Sequence, residues 1–77
     1  MISDKGKEMI KYMKQRYEET LFPFFKLVDI YNRFGKEVRD DLNVLARKKI
    51  VAKREGINSP LIEITTYGIG VLKKIKY

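Results

Sequence analysis

Apolar residues in the first twenty positions recur at helical spacing. Met9, Ile10, Met13 and Tyr17 fall on one stripe at about 100° per residue, with Gly6 and Thr20 on the same face, while Lys7, Lys11, Lys14, Gln15 and Glu18 fall opposite. Ser3 or Asp4 supplies a capping oxygen, which predicts a first helix over about 3–20. The period breaks at "LFPFF". Pro23 biases Phe22 away from helical geometry, so Leu21 and Phe22 are expected to form an extended connector, with Pro23 opening a second helix over about 23–34. Its inner face is Leu27, Ile30, Tyr31 and Phe34, and Gly35 is its terminator. After a very short link, Val38, Leu42 and Leu45 form the stripe of a third helix over about 36–48.

From Ile50 the period changes. "IVAKR" and "LIEIT" are short β-rich runs separated by the turn residues of "EGINSP", which predicts a hairpin over about 50–66. Thr65 then caps a last helix, about 66–76, with Val71, Leu72 and Ile75 inward and Lys73, Lys74 and Lys76 near its C-terminal end, where positive charge complements the helix dipole. The order helix, helix, helix, hairpin, helix is that of a single α+β domain spanning 1–77, mainly helical. At 77 residues its core must use nearly every apolar side chain.

Composition narrows the chemistry. The chain has no Cys and no His, which excludes disulfides, a thiolate nucleophile, an imidazole base and an ordinary zinc site. The acidic pairs Glu18/Glu19 and Asp40/Asp41 do not form a catalytic dyad, because adjacent helical residues diverge by about 100°; they are expected to be solvated surface. Gly68 and Gly70 lack the Lys and hydroxyl of a phosphate-binding loop. The cluster Tyr17, Phe22, Phe24, Phe25, Tyr31 and Phe34 is expected to fill the core rather than to stack on bases. No enzyme and no cofactor are expected. No apolar run approaches the roughly 18 to 20 residues of a membrane span, and Asp4 and Glu8 among the N-terminal lysines do not read as a signal peptide, so a soluble, cytoplasmic protein is expected.

Charge adds a direction. Of the net +7, residues 36–54 carry +4, with seven basic groups against three acidic ones. A local basic excess of this kind favours polyanions, nucleic acid first.

The element order, with "RFGKEVRDDLNVLARKKIVAKREG" and "IEITTYGIGVLKKI", resembles the winged helix-turn-helix domains of small prokaryotic DNA-binding regulators over residues 24–75. The resemblance implies a three-helix core, a two-stranded wing and a closing C-terminal helix, with helix three as the recognition helix. Its marks are Leu45, Ile50 and Val51 from helix three into the wing, then Ile64, Thr65 and Gly68 into the closing helix. Where that family often has Gly between recognition helix and wing, this chain has Lys49. The implied partner is double-stranded DNA, and the implied location is the nucleoid.

Helical geometry then selects the DNA-facing residues. Opposite the apolar stripe of helix three lie Lys36, Asp40, Asn43 and Arg47, with Arg39 on one flank. In a major groove Asn43 can pair with an adenine edge and Arg39 or Arg47 with guanine, while Lys36 meets a phosphate. Lys48, Lys49, Lys53 and Arg54, at the wing base, are expected on the DNA backbone. Two features oppose this. Asp40 repels phosphate, and the tip, Glu55 to Pro60, carries no cation. They support an alternative, a winged helix serving protein interaction or assembly, in which Asp40, Asp41 and the neutral tip face another protein. Helices one and four are the expected seam of a homodimer.

The start of helix one also resembles the start of helix four. Ile2, Ser3, Gly6, Met9, Ile10 and Met13 match Ile64, Thr65, Gly68, Val71, Leu72 and Ile75 at a constant offset of 62 residues. Either two capped amphipathic helices share a common start, or Ile2 is the stub of a preceding wing in a tandem array.

Overall fold

Helix α1 (Asp4–Thr20) begins where the Ser3 Oγ accepts the Gly6 N–H at 3.0 Å, so Ser3 rather than Asp4 is the cap. The structure, a computed structural model, describes residues 2–74. Gly6, Met9, Ile10 and Met13 are buried as one stripe, Tyr17 is half-buried, and Thr20 is exposed. The Thr20 hydroxyl donates to the Arg16 carbonyl and accepts the Phe22 N–H, closing the last turn. Leu21 follows in the left-handed region (φ 58°).

The second helix starts later than Pro23. Phe24–Lys26 is a strand, β1, and α2 runs over Leu27–Phe34. Pro23 does not open a helix; its carbonyl accepts the Ile64 N–H at 2.9 Å, and Phe24, Phe25 and Lys26 pair with Glu63, Ile62 and Leu61. A three-residue strand shows no period of its own, and its partner lies far along the chain, so local pattern could not reveal it. The stop at Gly35 agrees with expectation: it sits at φ 89° and donates to the Tyr31 carbonyl.

Helix α3 (Val38–Arg47) follows a turn at Lys36 and Glu37, so it begins two residues after the expected start. Strands β2 (Val51–Glu55) and β3 (Pro60–Ile64) form the expected hairpin, and α4 (Thr66–Lys74) closes the described chain. The sheet is three-stranded and antiparallel in the order β1-β3-β2, not a two-stranded hairpin alone. The central strand carries Pro60 as its first residue, where a missing N–H costs least. The expected inward Ile75, and Lys76, lie outside the described residues.

One core joins these elements: Met9 and Met13 of α1, Ile30 of α2, Val38 and Leu42 of α3, and Ile62 and Ile64 of β3 are all at most 2 % exposed. The described residues thus form a small α+β domain of four helices and a three-stranded sheet, mostly helical. The aromatic cluster only partly fills that core. Phe34 is buried, and Tyr17, Phe25 and Tyr31 pack against the core half-buried, but Phe22 is 61 % exposed and meets Phe24 with the two rings tilted. Tyr12 packs its ring against Phe25 and Phe34 beneath the Arg33 guanidinium, 4.3 Å from the ring centroid. Among the described residues no helix is long and apolar enough to cross a membrane.

Candidate nucleic-acid interface

The C-terminus of α3 fixes the geometry of the basic segment. Lys48 caps the helix, Lys49 turns into the left-handed region at φ 62°, the Lys49 N–H donates to the Ala46 carbonyl, and the Ile50 N–H donates back to the Leu45 carbonyl. This pair of bonds is a Schellman closure, whose left-handed residue is usually Gly. Lys49 occupies that position, so the chain keeps the conformation and gains a cation. The turn sends Ile50 and Val51 inward while Lys48 and Lys49 stay exposed.

The start of α4 is tied to this turn. The Thr65 N–H donates to the Ile50 carbonyl at 3.1 Å, and the Thr65 hydroxyl donates to the Lys49 carbonyl at 2.7 Å while accepting the Gly68 N–H. Gly68 lies so close that a Cβ placed on it would stand 1.9 Å from the Ile50 carbonyl oxygen. Only a residue without a side chain permits that approach.

Between α3 and β2 lies an open groove of about 770 Å³. Asn43 and Arg47 line it from the helix, Lys49 from the turn, Lys53 from the strand, and Ala46, Val51, Ala52 and Thr65 from its floor and sides. Its lining among the described residues holds three cations and no anion. Lys53 Nζ donates to Asn43 Oδ1 at 2.6 Å, bridging helix and sheet. Register places Lys53 there: it pairs with Ile62, on the sheet face that carries Val51, Ile64 and the core. Arg54 points from the other face, where its Nε donates to Glu63 Oε1 at 2.8 Å.

Of the eight residues expected at the interface, the groove therefore gathers Asn43, Arg47, Lys49 and Lys53. Lys48 is exposed at the helix cap beside them, and Lys36 and Arg39 are exposed at the opposite, N-terminal end of α3. Arg54 is held by Glu63 outside the groove. Asp40 is exposed and does not line the groove.

No protein-family model matches the chain, and no curated protein or solved structure matches it. The chemistry of the groove therefore rests on its own residues.

Asp41 departs from expectation. It is only 4 % exposed, and its two carboxylate oxygens accept from the Ser3 N–H (2.9 Å) and the Ser3 hydroxyl (2.6 Å). A Cβ added to Gly6 would meet its Cγ at 2.5 Å, so α1 packs directly on the carboxylate. The signal was present in the sequence: Val38, Asp41, Leu42 and Leu45 form the i, i+3, i+4, i+7 stripe of α3, and the acid occupies a core position. Such an acid is held only by satisfying its oxygens, which Ser3 does.

Proposed function

We propose that this domain is a double-stranded DNA-binding module of winged-helix type, with α3 entering the major groove and the turn and first strand of the hairpin lying on phosphates. The observation that carries the reading is the groove between α3 and β2, where Arg47, Lys49 and Lys53 surround the amide of Asn43 with no acid in the lining. An α-helix fits the major groove, where a neutral amide can exchange two hydrogen bonds with an adenine edge, and flanking cations neutralise the backbone. In the free protein Lys53 holds the Asn43 amide oxygen. In the complex Lys53 moves to a phosphate and releases that oxygen to the base. Transcriptional regulation is the role such a module serves, and a homodimer through α1 and α4 would pair two such faces.

Burial of Asp41 removes it from the competing protein-interaction reading, which needs both acids exposed. That reading now draws on a different surface, Leu21 and Phe22, which are 71 % and 61 % exposed. Fluorescence anisotropy of a mixed-sequence duplex against rising salt separates the two. A DNA-binding module binds at low salt and weakens steeply as counterions compete. Absence of binding at low salt removes the DNA reading and leaves the apolar surface as the functional one.

A further inference from the structure

A second cleft lies between α1 and the β1–α2 segment, and it shares no residue with the basic groove. Its volume is about 280 Å³, and Tyr12, Phe22, Phe24, Phe25 and Ile30 line it. Core filling does not account for all of these rings. Phe22 is 61 % exposed, Leu21 beside it is 71 % exposed and Phe24 is half-buried, so the connector after α1 holds an apolar patch in water. A contiguous apolar patch rimmed by polar groups marks an interaction surface. Here the rim is Arg16 from α1, with Lys26 and Asp29 from the start of α2. Tyr12 and Asp29 also line a more open depression that reaches Asn32 and Arg33, so one furrow follows both helices.

We infer that this furrow docks an amphipathic helix of a partner protein, its apolar stripe set on the ring cluster and its flanks acidic. Geometry favours a helix. Strand addition at β1 offers little, because β1 has three residues and Pro23 before it has no N–H to donate. A furrow between two helices instead takes side-chain anchors at i, i+3 and i+4 from a third. Charge favours acidic flanks. Around the furrow stand Arg16, Lys26 and Arg33, against Asp29 and against Glu19, whose carboxylate is 3.8 Å from Arg16. A second copy of this chain would bring the same three cations together, and a net charge of +7 adds to that repulsion. Single-stranded nucleic acid would need successive open ring faces. The rings instead meet each other tilted, Phe22 on Phe24 at 58° and Tyr12 on Phe25 at 59°, and the Arg33 guanidinium already covers the Tyr12 face. The furrow can be filled whether or not α3 reads DNA.

The test titrates the isotope-labelled intact chain and follows its backbone amide signals. Three probes are used: a stapled helical peptide with Leu and Phe at i, i+4 and i+7 flanked by Glu, the same peptide with Lys for every Glu, and oligo(dT). The Glu peptide is expected to shift the amides of Phe22, Phe24, Lys26 and Asp29 and to leave those of Asn43, Lys49 and Lys53 in place. Phe22→Ala should weaken it roughly tenfold, as loss of a central aromatic anchor does. Lys26→Glu should reduce the preference for the Glu peptide over the Lys peptide. Both positions are exposed, so the variants keep the fold, which their unbound spectra check. Shifts confined to the basic groove, equal binding of the two peptides, or unchanged affinity in Phe22→Ala overturns the docking site. Oligo(dT) shifting the furrow amides in place of the Glu peptide overturns it as well. Duplex binding at Asn43 and Lys53 is read from separate signals, so the DNA reading stands or falls independently.

Discussion

Ser3 and Thr65 make the same set of hydrogen bonds at opposite ends of α3. Each hydroxyl accepts the N–H of the glycine three residues on, and each donates outward, Ser3 to the Asp41 carboxylate in the first turn of α3 and Thr65 to the Lys49 carbonyl just beyond its last. Each backbone N–H also donates to the α3 side, Ser3 to Asp41 and Thr65 to the Ile50 carbonyl. In both places the glycine leaves no room for a Cβ. The repeated phrase in the sequence is thus a docking device: a capped helix start pressed against α3, once on a side chain and once on backbone.

The device predicts opposite outcomes for two glycines of one helix. Gly68→Ala places a methyl against the Ile50 carbonyl, and backbone cannot rotate away, so stability should fall by about 3 kcal/mol. Gly70→Ala meets nothing within 4 Å and gains helix propensity, so stability should rise by about 0.5 to 1 kcal/mol. Urea melts of the two variants check this, and equal effects would show that α4 is not docked as described.

At the other end of α3 the tie is a side chain, and its members should not add. Asp41→Ala leaves the Ser3 N–H and hydroxyl without their acceptor and should cost about 2 to 3 kcal/mol. Ser3→Ala removes the cap and one of the two bonds and should cost about 1 to 2 kcal/mol. The double variant should cost less than the sum of the two, since the Ser3–Asp41 hydroxyl bond is lost in both, while loss of the Gly6 cap still adds. Full additivity in a double-mutant cycle would mean that the two do not interact.

Lys49 separates stability from binding. Lys49→Gly relieves a left-handed side chain and should stabilise the fold by about 1 kcal/mol. The same change removes one expected phosphate contact, so duplex affinity should fall and the salt slope should decrease by about 1. Thermal melts and anisotropy titrations on the same preparation test both halves.

Asn43 and Lys53 should differ in kind. Asn43→Ala is expected to relax preference at one base position at a cost of about 1 to 3 kcal/mol, measured by competition among single-base variants of a selected site. Lys53→Ala should weaken all sequences alike. Arg54→Ala should change affinity little, because Glu63 already holds that guanidinium. Equal loss on every sequence from Asn43→Ala would remove α3 from the base-reading role.

By itself the sequence determined the elements that depend on neighbours along the chain. The buried stripe of α1, the stop at Gly35, the stripe of α3, the hairpin turn and the Thr65 cap follow from period, capping and turn chemistry acting over a few residues. Only the tertiary structure decided what depends on residues distant in sequence. Strand β1 exists because β3 offers an edge, the partner that satisfies the Asp41 oxygens is Ser3 at the start of α1, and Arg54 is separated from Lys53 because strand alternation sends them to opposite faces. Which cations of the basic segment share a groove is therefore set by sheet register and by the turn at Lys49, two properties that charge counting along a chain does not contain.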